Sequence, residues 1–274
     1  MVPHPSDAEP PRKKARTQGP GKKRGKKPHD DPWFKLGGHG IVSGASGRGK
    51  TYWLVDAILG KGVHRESGPG PWNAITVLCD NVSVDQDAFQ RLAKQFTGKG
   101  GVTFYEGLPD NPEEEDEFLE HLREGQNNGL KRLILIDDLM KASSHGFGER
   151  FVDKLFTSCR HLGCTVFELN QAHTANRLRR LNAAYLVCFS TPSDVRALAH
   201  VAHSIMPEDK GKRILECYRE ATEDPEYDGH GCLVVCLHAN PEYMLRATRM
   251  DHCFDLHAPD DAELQGPEGA DASA

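Results

Sequence analysis

The residues best placed to do chemistry are Gly44, Ala45, Ser46, Gly47, Arg48, Gly49, Lys50 and Thr51, which fit the pattern G-x-x-x-x-G-K-[ST] at every constrained position. Glycines at 44, 47 and 49 let a backbone curl and aim its N–H groups at an anion, and the start of a following helix adds its positive end. In such a loop Lys50 neutralises the β and γ oxygens of a nucleotide, and the Thr51 hydroxyl holds Mg2+. Further along, Leu133-Ile-Leu-Ile136 runs straight into Asp137 and Asp138. Two carboxylates at the tip of an apolar strand can divide the work of hydrolysis. Asp137 positions the metal through its water shell, and Asp138 orients or deprotonates the attacking water. A third apolar run, Cys164 to Leu169, ends in Asn170-Gln171-Ala172-His173. Its tip makes Gln171 a candidate γ-phosphate sensor. From position alone, Arg160 is either a surface arginine favouring the end of a helix or a side chain projecting toward a neighbouring subunit's nucleotide. Glu168 interrupts its apolar run, and the sequence leaves open whether it is half-buried and paired or whether the strand lies at an edge.

Something must hold these groups together, and between about Gly37 and Asp255 the chain alternates short apolar or β-branched runs with longer amphipathic ones. That alternation predicts an α/β fold with a largely parallel central sheet flanked by helices. Strands are expected at Gly40–Ser43, Ala74–Cys79, Val102–Tyr105, Arg132–Ile136, Cys164–Leu169, Tyr185–Phe189 and Cys232–Leu237. Helices are expected at Lys50–Leu59, Val84–Phe96, Pro112–Arg123, Gly148–His161, Ser193–Ser204 and Lys210–Ala221. Asn111 reads as an N-cap before Pro112, and Glu113, Glu114 and Glu115 suit the positive end of that helix rather than a metal.

The chain has 274 residues and a net charge of −6, unevenly spread. Residues 1 to 29 hold nine Lys or Arg against Asp7 and Glu9, a local +7 that leaves about −13 for the remainder. With Pro and Gly interleaved and few large apolar side chains, residues 1–36 are expected to form a disordered basic tail, and 258–274 a disordered acidic one, around an ATPase domain at 37–257. The clusters Arg12–Arg16 and Lys22–Lys27 have the composition of a nuclear-import signal or a nucleic-acid-binding arm. No run of about 18 apolar residues and no secretory pattern is present, so the expected setting is intracellular, without a membrane partner. Eight cysteines, mostly within apolar runs, suit reduced thiols packed as small hydrophobes. Cys232-Leu-Val-Val-Cys236 alternates like a strand and lacks the turn of a zinc knuckle, which argues against a zinc site with His238, His252, Cys253 and His257.

Taken together, Gly44–Thr51, Leu133–Asp138, Leu155-Phe-Thr-Ser-Cys-Arg-His-Leu-Gly163 and Gln171 resemble the genome-packaging ATPases of the FtsK–HerA superfamily. Leu181-Asn-Ala-Ala-Tyr-Leu-Val-Cys-Phe-Ser190, Thr191-Pro-Ser-Asp194 and Tyr218-Arg-Glu-Ala-Thr222 are similar to the branch found in poxviruses and Polinton-type viruses. The resemblance spans roughly Gly38 to Arg249. It implies a RecA-like (ASCE) P-loop NTPase core, a ring homo-oligomer, and ATP- and Mg2+-dependent translocation of double-stranded DNA into capsids. Viral capsid proteins would then be partners, and the host nucleus or the virion the location. It also implies that Arg160 is a finger acting in trans. The family commonly carries Glu where this chain has Asp138, and its sensor strand is normally apolar where this chain has Glu168. Other readings are a cellular HerA-like translocase, an ATP-regulated DNA-binding assembly factor, and a small-molecule kinase. The second acid and the basic tail argue against the kinase.

Overall fold

The computed structural model describes residues 34–62, 64, 69–80, 86–139, 146–173, 176–191, 195–205, 208–239, 244–249, 253 and 254. Its elements run β1 (His39–Ser43), α1 (Lys50–Leu59), β2 (Ala74–Cys79), α2 (Asp87–Gln95), β3 (Val102–Glu106), α3 (Pro112–Asn127), β4 (Arg132–Asp137) and α4 (Phe147–Ser158). They continue with β5 (Cys164–Asn170), α5 (Arg177–Asn182), β6 (Ala183–Phe189), α6 (Val195–Ile205), α7 (Glu208–Glu223), β7 (Cys232–Cys236) and β8 (Leu245–Arg246). All seven expected strands are present. The helix expected from Gly148 to His161 is α-helical only to Ser158 and closes as a 3-10 turn over Cys159–Leu162. The short helix α5 had no sequence signal, because Arg177-Leu-Arg-Arg-Leu-Asn182 is too brief to show an apolar period. The basic and acidic segments 1–33 and 255–274 lie outside the described residues, as do the first residues of two expected helices, at 84–85 and 193–194.

One sheet has the order β3-β2-β4-β5-β1-β6-β7-β8. The six strands from β3 to β6 are parallel, whereas β7 and β8 each run antiparallel to their neighbour. This order places the carboxyl ends of β4, β5 and β1 side by side. In register, Asp137 lies opposite Leu169, and Asn170 opposite Ser43. The fold therefore brings the two acids, Gln171 and the glycine-rich loop to one edge, where ligands bind in open parallel sheets.

Helices cover both faces. Against α1 and α2 lies an aromatic layer in which Phe34 meets Trp53, Trp72, Phe167 and Tyr185 with ring centroids 5.1 to 6.2 Å apart. Phe34 is 2% exposed, so the packed region takes in a residue that its composition had assigned to the tail. The other face packs residues of α3, α4, α6 and α7, among them Phe118, Phe151, Leu155, Leu198 and Ile214. Asn111 caps α3 by accepting from the Glu114 backbone N–H at 2.9 Å, while Glu114 accepts from the Asp110 N–H, so the acidic run serves the helix start as expected. Cys79, Cys159, Cys164, Cys188, Cys217, Cys232 and Cys236 are buried free thiols, and burial pushes Cys188 up to about 12. No helix among the described residues is long and apolar enough to cross a membrane.

Glu168 has a definite place. It lies in central strand β5 with no exposure and accepts from Arg179 at 2.6 Å; Arg179, itself 2% exposed, also donates to Asp153 at 2.6 Å and to the Glu149 carbonyl at 3.0 Å. Burial pushes the Glu168 carboxyl above its ordinary range, and the Arg179 charge and hydrogen bond oppose that. Of the two readings the sequence allowed, pairing holds, the burial is complete, and the strand is internal. Removing one partner of a buried pair strands the other charge, so Arg179→Ala should lower stability by about 3 to 5 kcal/mol. Urea unfolding of the two proteins measures this; a loss below about 1 kcal/mol would show that water already reaches the pair.

Candidate nucleotide site

The loop after β1 turns where a side chain could not follow. A Cβ on Gly44 would overlap the Phe189 side chain, and Gly49, the residue that caps α1, has φ 83, a left-handed conformation natural to glycine. The Gly44 N–H donates to the Asn170 carbonyl at 3.1 Å, which seats the loop between β1 and β5. Lys50 opens α1 and reaches back over the loop, donating to the carbonyls of Gly44 at 2.8 Å and Ala45 at 3.1 Å. Its ammonium thus lies within the arch, where phosphate oxygens would meet it. Burial lowers the Lys50 pKa, while Asp137 and Asp138 act to raise it.

Ser46, Gly47, Gly49, Lys50, Thr51, Asp137, Asp138 and Gln171 share one cleft of about 600 Å3. That volume is ample for a nucleotide. Asp137 is 7% exposed and its pKa is raised to about 6, first by burial and then by Asp138 and Asp80, with Lys50 pulling the other way. Asp138 follows with φ 53, a left-handed conformation that Asp and Asn adopt far more readily than Glu. This gives a physical reason for the shorter carboxylate where the resembling family commonly has Glu. Gln171 donates its amide to the Asp138 carboxylate, so the sensor candidate and the water-orienting candidate are in direct contact. Behind them Ser43 and buried His173 are hydrogen-bonded at 2.6 Å, tying the tip of β1 to the segment after β5.

Excess negative charge around Asp137, in the same cleft as Thr51, suits a divalent cation. Among the described residues no group of three or more His, Cys, Asp or Glu could hold a metal alone. A donor set of one or two carboxylates and a hydroxyl, completed by phosphates and water, is the kind magnesium takes. The residues present fit Mg2+, which Thr51 would hold through its hydroxyl and Asp137 through its water shell.

Arg160 is elsewhere. It is exposed at the opposite, amino-terminal edge of the sheet, donating to the Gly37 carbonyl at 3.0 Å and the Asn182 carbonyl at 3.3 Å. It therefore braces the starts of β1 and β6 and does not reach its own chain's cleft. Sequence reasoning missed Asp80, Tyr227, His230 and Thr248, all in the cleft wall. Asp80 had a signal, since it follows the apolar run Ala74–Cys79 just as Asp137 ends its own. The other three had none, because they come from segments distant in sequence.

A largely parallel sheet whose first strand leads through this loop into a helix, with acids at the tip of a nearby strand, defines the fold of a P-loop NTPase. No family model and no curated protein matches the chain. Among solved structures, it is similar to the DNA-packaging ATPase from Sulfolobus turreted icosahedral virus, at 9% identity and TM-score 0.52 over 78% of this chain and 98% of that one. It is also similar to the genome packaging NTPase from Sulfolobus turreted icosahedral virus 2 in complex with AMPPCP, at 10% identity and TM-score 0.50 over the same shares of each chain. At these identities the likeness is one of fold.

Proposed function

We propose that this chain is an ATPase that drives double-stranded DNA into a viral capsid, acting as a ring of identical subunits in the host nucleus or at the virion. Within the FtsK–HerA superfamily it is read as a member of the poxvirus and Polinton-type branch, on the motifs quoted above. The observation that carries hydrolysis is the convergence of Lys50, Thr51, Asp137, Asp138 and Gln171 in one cleft, with two acids where a nucleotide switch needs only one. Two packaging NTPases of the same fold support the packaging part, and the +7 segment at residues 1 to 29 supplies charge for a phosphate backbone.

In this reading the N–H groups of the Gly44–Thr51 loop cradle the phosphates, and Lys50 balances the charge of the β and γ oxygens. Asp138 accepts a hydrogen bond and then the proton from the attacking water. Gln171, held against Asp138, changes partner when the γ-phosphate is present and so reports its departure. Thr51 and Asp137 would hold Mg2+, which would supply charge neutralisation at the phosphates.

The test is steady-state ATP hydrolysis by the purified full-length chain, with and without duplex DNA. Stimulation by duplex is expected. Hydrolysis indifferent to DNA would favour the assembly-factor reading, and no hydrolysis would end the ATPase reading.

Two expectations follow from the acids. Asn tolerates the left-handed backbone at 138 as Asp does, so Asp138→Asn removes the base and spares the fold. It should leave nucleotide affinity nearly intact and slow hydrolysis by roughly a hundredfold or more; an equal loss of affinity would make Asp138 a metal ligand instead. Asp137, with its pKa raised to about 6 against an ordinary 3.8, keeps a proton in the folded state that the unfolded chain releases. Its contribution to the stability of the nucleotide-free protein therefore declines as pH rises through the window between those values. Conversely, Mg2+ requires the ionised carboxylate, so Mg2+-dependent nucleotide affinity should fall about tenfold per unit below pH 6. Titration calorimetry from pH 5 to 8 checks this, and Asp137→Asn should flatten the profile.

A further inference from the structure

We infer that the turn between α7 and β7 seats the base of the nucleotide, through the aromatic rings of Tyr227 and His230. The inference rests on the nucleotide reading above and names the part of the ligand which that reading leaves unplaced.

The cleft has two ends. Asp80, Asp137, Asp138 and Gln171 come from the tips of β2, β4 and β5, on one side of β1, whereas Tyr227, His230 and Thr248 come from segments flanking β7 and β8, on the other. The loop residues Gly47 to Thr51 lie between. Hydrolysis fixes the γ-phosphate at the acidic end, so the sugar and base must leave the loop toward the other. Tyr227 is half-buried there and His230 exposed, so the cleft wall at this end carries two aromatic side chains.

The turn is built to hold those rings against the phosphate loop. Asp224 caps it, accepting from the Glu226 N–H at 2.9 Å, and the Tyr227 N–H donates to the Asp224 carbonyl at 3.2 Å. Asp228 and Gly229, at φ 46 and φ 76, reverse the chain, and the His230 N–H closes onto the Tyr227 carbonyl at 2.8 Å. Arg48, from within the phosphate loop, donates to the Gly229 carbonyl at 3.3 Å. The imidazole of His230 sits so close that its Nδ1 would be 3.2 Å from a Cβ on Gly49. Thr248, on the same wall, is fixed in turn: its carbonyl accepts from the Trp53 indole at 3.2 Å, and its hydroxyl accepts from the Cys232 N–H at 2.8 Å. A side chain at Gly49 would thus press on His230 as well as strain the loop. Loop and turn form one unit, with phosphate donors at one end and aromatic side chains at the other. Every base offers a π-face, so stacking of this kind distinguishes a nucleotide from a bare phosphate chain.

Calorimetry on the full-length protein with Mg2+ can compare a non-hydrolysable ATP analogue with inorganic tripolyphosphate. Replacing both rings, Tyr227→Ala with His230→Ala, should weaken the analogue roughly ten- to a hundredfold while tripolyphosphate affinity stays within about twofold. Tyr227→Phe, which keeps the ring and loses the hydroxyl, should bind the analogue as the parent does. Equal losses for both ligands would show that the turn merely braces the loop, and an unchanged affinity for the analogue would place the base elsewhere; either overturns the inference. Failure of the parent protein to bind either ligand would instead remove the nucleotide reading, and this inference with it.

Discussion

Replacing Lys50 by alanine should take ATP hydrolysis below detection while the protein remains folded. The ammonium donates to two loop carbonyls and is half-buried under the carboxylates of the cleft, so no other cation of the loop can substitute for it. Arg48 is engaged with the Gly229 carbonyl, and the guanidinium of Arg160 is at the far edge of the sheet. The developing charge on the γ-phosphoryl oxygens would then lose its fixed counter-charge in a site where water is a poor replacement, and one such contribution is commonly worth a hundredfold or more in rate. Lys50→Ala relieves a desolvated cation but also loses its bonds to the Gly44 and Ala45 carbonyls, so thermal stability should change little. Phosphate-release assays on a preparation freed of contaminating ATPases check the rate, and a melting curve checks the fold. Wild-type turnover by Lys50→Ala would sink the assignment of the loop.

Arg160→Ala separates two roles of different size. Within one chain the guanidinium joins the Gly37 and Asn182 carbonyls, and losing those bonds should cost about 1 to 2 kcal/mol of stability. A finger completing a neighbour's site would matter far more, about 10³ or greater in rate. Pure Arg160→Ala should therefore bind ATP normally, melt slightly lower and be nearly inactive. Mixing it with Lys50→Ala subunits supplies the decisive measurement. An interface between a subunit with intact Lys50 and a neighbour with intact Arg160 regains a complete site, so the mixture should recover part of the activity that both parents lack. Near-normal turnover by pure Arg160→Ala would leave the residue its structural role alone.

The candidate phosphate loop, the acidic strand tip and most of the elements can be read from the amino-acid sequence alone. Gly44 to Thr51 and Asp137–Asp138 were legible because each is a local pattern, a loop that only glycines can make and an apolar run ending in charge. Strand positions were legible for a similar reason: in a sheet covered on both faces, strands are largely apolar runs, with Glu168 in β5 an exception. Short helix α5 was not, since six residues show no period and its stability comes from Arg179 reaching Glu168 and Asp153. Adjacency emerges only in the folded chain. The order β4-β5-β1 is not written in any one segment, yet it sets Gln171 against Asp138 and the acids across from Lys50. The burial that raises Asp137, the left-handed turn at Asp138 and the pairing of Glu168 all follow from it. The same holds for Tyr227, His230 and Thr248, which meet the phosphate loop from segments some 180 to 200 residues away in sequence. Local backbone preference and hydrophobic pattern act over a few residues and are visible in a string of letters; long-range packing brings distant segments into one cleft, and only the folded chain shows which ones.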